Sequence, residues 1–342
     1  MNNIIITGPF SRNGGVAQFI SNLLPFFGKE TILFRRGKRK SFEIFGFLFP
    51  FIDIFRYIGF VLINRPSKIL INSSLAKVGI VRDGIFILVS KALGIKTVLF
   101  IHGFNEQELN LGVLIKMGYF KADKIFVLSS IFKNQLIKLG YEKPIIVTFN
   151  PIGIDLIESY KRTENKIQKN DLIKILMLSR IEKSKGIFIG LDVLKALQEY
   201  NIELHIAGLG SELEEAKKFV KDNKLKKVKF YGFISGIDKE NLLRNCDILL
   251  FPTFHNEGLP INVLESLAMG LSVITRPVAG INDLKNRYHF FLVDSKVSLQ
   301  YEKIILQLLK FGLPKTDIYE NQLRASIDFS PNTIYNKVVL ES

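Results

Sequence analysis

Two carboxylates eight residues apart, Glu257 and Glu265, bracket the stretch Gly258-Leu259-Pro260-Ile261-Asn262-Val263-Leu264. Pro260 has the fixed φ of a first helical residue, Leu264, Leu267 and Ala268 supply an apolar face, and Gly270 can take a left-handed stop. The spacing predicts a short helix starting just after Gly258. Its free amides and positive dipole end face whatever lies beside Gly258 and Leu259, which suits a diphosphate. Glu257 falls in the loop at that end. Glu265, about 12 Å further along a helix rising about 1.5 Å per residue, reaches a second patch of the same ligand. Carboxylates accept hydrogen bonds from hydroxyls, and a sugar and a ribose at the two ends of a diphosphate carry hydroxyl pairs at about that separation. By spacing alone the same pair also describes a solvated helix face, so the surroundings have to decide.

Those surroundings follow a βα rhythm, short apolar runs alternating with amphipathic segments, which predicts parallel sheets covered on both faces. Strands are expected at 3–7, 31–34, 68–72, 97–102, 124–128 and 145–149, and again at 173–178, 203–207, 228–231, 248–251, 272–275 and 290–293. With 342 residues the chain exceeds what one core usually holds, so two doubly wound α/β domains are expected. A polar segment at 158–171 joins them. The division is an N-terminal domain at 1–157 and a C-terminal domain at 158–342. Ligands on such sheets bind at the carboxyl ends of the strands.

Further motifs cluster at those ends. Gly14-Gly15-Val16 opens a helix after the first strand; Ile101-His102-Gly103 and Asn150-Pro151 end two others. Ser179-Arg180-Ile181-Glu182-Lys183-Ser184-Lys185-Gly186 follows the run 175–178, and Ala207-Gly208-Leu209-Gly210, Tyr231-Gly232-Phe233 and Val278-Ala279-Gly280-Ile281 complete the set. Together with Glu257 and Glu265 these motifs, in this order over roughly residues 1–295, resemble the retaining glycosyltransferases of family 4, with their E-x7-E signature and GT-B fold.

The resemblance implies two Rossmann-like domains facing each other across a cleft, the first binding acceptor and the second a nucleotide diphosphate sugar, with the last helical segment returning to the first domain. It implies that Arg180 and Lys185 stabilise the departing nucleotide diphosphate, whose charge grows in the transition state. Glu257 is implied at the transferred sugar and Glu265 at the ribose, with Gly258, Leu259 and Pro260 beside the diphosphate. Gly15 lets the first-domain loop approach the donor closely. Gly232, Phe233 and Ile234 flank the nucleobase, a pattern that leaves uridine, guanosine and adenosine open, with UDP the commonest family choice and GDP next. His102 resembles the family histidine near the sugar and is implied to orient the donor rather than act as general base. His255, just ahead of Glu257, is also within reach of the sugar. No Asp-x-Asp occurs in the sequence. That spacing holds the divalent ion in metal-dependent glycosyltransferases, so no metal or other cofactor is expected.

Charge points to the partner. Residues 1–150 hold 20 Lys+Arg against 8 Asp+Glu, a net +12, whereas 151–342 hold 27 against 24, a net +3. A basic half can serve nucleic acid, but none of the standard nucleic-acid motifs is present. The basic run Arg35-Arg36-Gly37-Lys38-Arg39-Lys40 instead adjoins a stretch at 42–63 with seven phenylalanines. As a membrane span it would bury Asp53 and Arg56 at about 2.5–3.5 kcal/mol each. The open alternatives are a helix at an anionic bilayer surface through residues 35–63, a helix packed on the sheet, and an apolar acceptor groove. The single cysteine, Cys246, excludes an internal disulfide, and the start at 1–6 resembles a first strand rather than a signal peptide.

The expected activity is transfer of a hexose-type sugar to a lipid-linked saccharide, in bacterial surface polysaccharide assembly such as O-antigen (lipopolysaccharide) or capsule. The expected location is cytoplasmic, peripheral on the inner face of the membrane. Two other readings use the same architecture: a GT-B-fold epimerase acting on a UDP-amino sugar, and a membrane-associated sugar-nucleotide-binding scaffold without catalysis.

Overall fold

The computed structural model describes residues 3–9, 14–37, 49–75, 77–103, 111–160, 172–255 and 257–341, with 158–160 as main chain alone. The chain divides into two compact units. The first comprises Met1–Pro151, Asn256–Leu259 and Phe329–Ser342; the second comprises Ile152–His255 and Pro260–Asp328. The main division thus falls at 151/152 rather than 157/158. The polar joining segment at 161–171 lies outside the described residues.

The first unit is built on six parallel strands, β1 (Ile4–Pro9), β2 (Thr31–Arg36), β3 (Lys68–Ser73), β4 (Lys96–Ile101), β5 (Lys124–Val127) and β6 (Ile145–Val147). Their order is β2-β1-β3-β4-β5-β6. All six residues of β3 are buried, as expected of a parallel strand covered on both faces. The crossover helices are α1 (Gly15–Leu23), α2 (Phe49–Asn64), α3 (Lys77–Ala92), α4 (Gly112–Met117) and α5 (Ser130–Lys138).

In α2 the buried positions recur every four residues, at Phe49, Asp53, Tyr57 and Val61, the repeat of one helix face. Tyr57 stacks on Phe86 of α3 at 4.0 Å and shares a 2.7 Å hydrogen bond with Ser90. Asp53 has no exposed surface, yet its carboxylate accepts the Gly37 N–H at 2.6 Å and pairs with Arg56 at 3.2 Å. The two charges that argued against a span therefore have local partners. Among the described residues no helix is long and apolar enough to cross a membrane. Phe51, Phe55 and Ile63 remain on the outer face, 62%, 75% and 82% exposed. The basic positions 38–40 and the phenylalanines at 42, 45 and 47 lie outside the described residues.

The second unit opens with α6 (Ile154–Tyr160) and contains β7 (Ile173–Leu178), α7 (Ile187–Ala196), β8 (Ile202–Ala207), α8 (Leu213–Asp222), β9 (Val228–Gly232), α9 (Gly236–Asn245) and β10 (Ile248–Phe251). It continues through α10 (Ile261–Ala268), β11 (Ser272–Thr275), α11 (Ala279–Leu284), β12 (Phe291–Leu292), α12 (Ser298–Phe311) and α13 (Lys315–Asp328). Its core joins Ile175, Met177, Leu204, Ile206 and Leu250 of the strands to Leu191 and Leu194 of α7 and to Tyr301 and Ile305 of α12. The sheet order is β12-β11-β10-β7-β8-β9. Numbered within the unit and read from β9, that is 3-2-1-4-5-6, the dinucleotide-binding order, whose direction of winding reverses between β7 and β10. All twelve expected strands are present, with ends within two residues of their expected positions.

The chain then returns to the first unit as α14 (Pro331–Tyr335) and a π turn. Tyr335 meets Thr31 at 3.0 Å, Lys337 donates to the Val147 carbonyl at 3.2 Å, and Phe329 packs edge-on against Phe149.

Candidate functional site

In a doubly wound sheet the ligand crevice lies outside the carboxyl ends of the strands where the winding reverses. In the second unit this puts the loops after β7 and β10 at the site, and the fold ties them together. The β7 loop turns through Lys183–Lys185 and stops at Gly186, φ +80°. A Cβ there would lie 2.6 Å from the Pro252 carbonyl oxygen, so the close approach of the two loops requires glycine. The Ser184 carbonyl accepts the N–H groups of Phe254 and His255 at 2.9 and 3.1 Å. From the other side, Gly208 at φ +146° lies so close to the Ser179 carbonyl that a Cβ would sit 1.8 Å from its oxygen. Ser179 and Ile181 donate to the carbonyls of Ala207 and Leu209 at 3.1 and 3.0 Å. The loop carrying Arg180 and Lys185 is therefore held on both flanks by main-chain bonds.

Within that loop the two cations differ. Arg180 is 59% exposed at the side chain and touches Glu182 at 2.5 Å, whereas Lys185 is 7% exposed and Lys183 is on the surface. Burying an ammonium costs several kcal/mol unless it is compensated, so Lys185 is not an ordinary solvated lysine.

Helix α10 begins at Ile261 with Pro260 at its N-cap, φ −65° and ψ 121°. That is one residue later than the expected helix start at Pro260, because the extended ψ of Pro260 keeps it outside the helix. Asn262 donates from its side chain to the Leu178 carbonyl at 2.6 Å and caps the Val263 N–H at 2.9 Å. The N–H groups of Ile261 and Asn262 have no partner among the described residues, leaving the anion-binding end of the helix open at the end of β7. Gly270, at φ +80°, follows the helix as expected.

Glu265 is almost fully buried, and its carboxylate meets the Lys239 ammonium of α9 at 2.6 Å. Helix α9 follows the Phe233-Ile234 segment directly. Phe233 is 65% exposed beyond the carboxyl end of β9 and Ile234 is half-buried, an aromatic face open to a flat ring. Nothing in the sequence pattern marked Lys239.

Glu257, Gly258 and Leu259 belong to the first unit. Asn150 donates to the Leu259 carbonyl at 2.8 Å. A Cβ on Gly258 would come 2.7 Å from the His102 carbonyl oxygen. Glu257 is half-buried. His102 follows β4, partly buried, its ring edge-on to Phe19 and Phe100 at 4.7 and 4.2 Å, with Nε2 2.8 Å from Asn72 Oδ1. Desolvation, with the Arg36 cation adding to it, pushes its pKa down to about 3. At the entry to α1 the left-handed conformation falls on Gly14, φ +105°. Gly15 is exposed, with open space among the described residues where a Cβ would stand.

Beside His102 is a buried charged group that the sequence did not reveal. Asp83 of α3 is fully buried between Arg36, at 3.5 Å, and Arg82, at 2.8 Å, and accepts the Ser73 hydroxyl at 2.5 Å. Burial by itself would raise its pKa. The two guanidinium groups and the hydrogen bonds outweigh this and hold it below the usual carboxylate range.

The structure thus brings Arg180, Lys185, Gly186 and the start of α10 to one crevice edge, and joins Glu265 through Lys239 to the helix that follows Phe233-Ile234. His102, Gly15 and the Glu257-Gly258-Leu259 strip are grouped in the first unit.

Residues 159–323 match the family described as Glycosyl transferases group 1. This stretch covers almost the whole second unit. The crystal structure of Anabaena Alr3699/HepE in complex with UDP and glucose superimposes with a TM-score of 0.77 over 99% of each chain at 16% identity. That likeness establishes the fold, GT-B, with two parallel-sheet α/β domains. Among curated proteins, the amylovoran biosynthesis glycosyltransferase AmsK of Erwinia amylovora is 28% identical over 120 residues, 33% of this chain and 30% of that one. The N,N'-diacetylbacillosaminyl-diphospho-undecaprenol alpha-1,3-N-acetylgalactosaminyltransferase of Campylobacter jejuni is 22% identical over 258 residues, 68% and 66% of the two chains. The chain spans between 30% and 42% of the length of the first curated relatives it matches.

Proposed function

We propose that this protein is a retaining, metal-independent glycosyltransferase. It moves a hexose-type sugar from a nucleotide diphosphate sugar, UDP-linked before GDP-linked, to a lipid-linked saccharide in surface polysaccharide assembly. The observation that carries the reading is the crevice edge between β7 and β10, where the flanked Arg180–Lys185 loop lies beside the open N-terminus of α10. Cations fixed where a diphosphate departs act without reorganisation and stabilise the leaving group more than the bound substrate. Because Arg180 and Lys185 supply that charge, the reaction proceeds without a divalent ion. The donor sugar keeps its anomeric configuration as the departing phosphate takes the acceptor proton.

The lipid-linked acceptor is supported by the printed name of the Campylobacter relative and by the outer face of α2. There Phe51 and Phe55 are exposed, and on α4, separately, Val113 and Met117 expose large apolar side chains, the composition of surfaces that rest on a bilayer interface. The enzyme then works on the cytoplasmic side as a peripheral membrane protein.

The test incubates the protein, with EDTA present, with UDP-, GDP- and ADP-sugars and a polyprenyl diphosphate-linked saccharide in anionic or neutral vesicles. The expected result is an axially linked glycoside, formed faster on anionic vesicles, with Phe51→Ser/Phe55→Ser removing that preference. A free epimer would replace the reading with the epimerase. Nucleotide binding without product would leave a scaffold, and equal rates on both vesicles would remove the membrane part.

A further inference from the structure

The hydrogen bonds around His102 settle which of its nitrogens carries the proton. Asn72, buried on β3, donates through Nδ2 to the Thr7 carbonyl at 2.9 Å, while its own N–H donates to the Thr7 hydroxyl oxygen at 3.1 Å. Arg36 in turn donates to the Asn72 carbonyl. A carbonyl oxygen only accepts, so the side-chain atom of Asn72 facing Thr7 has to be the amide nitrogen, and the atom facing His102 has to be the oxygen. That oxygen also only accepts. His102 Nε2, 2.8 Å away, therefore carries the hydrogen, and in a neutral imidazole Nδ1 is left with its lone pair.

Among the described residues, the charged groups on the elements around the ring are Arg36 of β2, Arg82 and Asp83 of α3, Asp53 of α2 and Glu257 in the strip under the His102 carbonyl, with the Tyr119 phenol beside Asp83. Asp83 is engaged by both arginines and Asp53 by Gly37 and Arg56. Among the described residues, Arg36 is the charge that acts on the imidazole, and with burial it disfavours a second proton. Nδ1 has no hydrogen-bond partner among the described residues.

We propose that Asn72 is a positioning residue that fixes His102 as its Nε2–H tautomer, so that the imidazole meets the donor as a hydrogen-bond acceptor through Nδ1. Such a group reads a sugar hydroxyl and does not pair with phosphate. A donor sugar lacking that hydroxyl leaves the lone pair unmatched and is discriminated against. The sugar half of this inference rests on the glycosyltransferase reading; the tautomer half does not.

The experiment is long-range 1H–15N NMR on histidine-labelled full-length protein, with His102 assigned by His102→Gln, alongside donor KM measured from pH 5 to 8. The expected wild-type spectrum shows a protonated Nε2 and a bare Nδ1 that does not titrate over this range. In Asn72→Leu the two tautomers mix, and donor KM rises several-fold to about tenfold with kcat less affected. In Asn72→Asp, close to the native shape, the carboxylate draws a second proton onto His102, so its signals titrate within the range. Donor KM then worsens as pH falls, because imidazolium has no lone pair to offer. A protonated Nδ1 in the wild type, or an Asn72→Asp protein with native fingerprint and no His102 titration, overturns the tautomer assignment. The expected spectra with pH-independent KM in Asn72→Asp overturn the acceptor role. The expected spectra in a protein that turns over no donor overturn the glycosyltransferase reading and the sugar half with it, leaving the tautomer standing.

Discussion

Glu265→Ala should destabilise the second unit as well as weaken nucleotide binding. The carboxylate is 3% exposed, its partner Lys239 is 16% exposed, and they meet at 2.6 Å. Removing the acid leaves an ammonium with most of its hydration gone. Breaking a fully buried pair costs about 3–5 kcal/mol and an exposed one about 0–1 kcal/mol. The long stem of Lys239 can carry its charge back toward water, which places the expected loss between these limits, at about 2 kcal/mol. For a unit of this size each kcal/mol shifts the midpoint by about 2–4 °C, so its transition should fall by about 4–8 °C. Calorimetry is the suitable assay, because a two-unit chain can unfold in more than one step. Lys239→Met leaves the carboxylate unpaired instead and should cost at least as much. The double variant Lys239→Met/Glu265→Leu should regain most of the loss, since apolar groups of similar volume often replace a buried pair without penalty. Nucleotide binding separates the two roles: the double variant regains stability and keeps the high donor KM of Glu265→Ala. If the single losses simply add in the double variant, the pair is not coupled. If Glu265→Ala melts like wild type, Lys239 finds water easily and the burial argument fails.

Arg180→Ala should leave stability within about 0.5 kcal/mol, because the side chain is exposed and its contact with Glu182 is a surface pair. Turnover should fall by about 10²–10³ in a single-turnover assay, and an unchanged rate would remove Arg180 from the leaving-group role. Asp83 should show in the acid limb of stability. Its folded pKa lies below the unfolded value of about 3.9, so its contribution is complete above that value and is lost as pH falls through the folded one. Urea unfolding between pH 2 and 7 should therefore show wild-type stability dropping below about pH 4. Asp83→Asn should be weaker at neutral pH, with Arg36 and Arg82 uncompensated, and flatter in acid. Parallel curves for the two proteins would contradict this.

The twelve strands were legible because a parallel strand covered on both faces has to be an apolar run, and runs such as Ile4-Ile5-Ile6 or Ile248-Leu249-Leu250 leave little choice of element. The motifs were expected at the carboxyl ends of the strands because ligands bind outside those ends in a doubly wound sheet. Such reading failed where a side chain's role depends on a partner far along the chain. Lys239 reads as one more charge on a polar helix until α9 is set against α10 and its ammonium meets Glu265 across 26 residues. Asn72 reads as the polar end of a strand until Thr7, 65 residues away, fixes the orientation of its amide. Aspartates within apolar stretches were legible as a cost but not as a solution. Asp53 in α2 counted against a span, while the main-chain amide that satisfies it, Gly37 N–H, belongs to the turn after β2 and has no side chain to announce it. Periodicity records which face a residue occupies, and so recovers the scaffold. The pairing of charges and the tautomer of an imidazole are set by distances between strands and helices, which exist only once the sheet order is known.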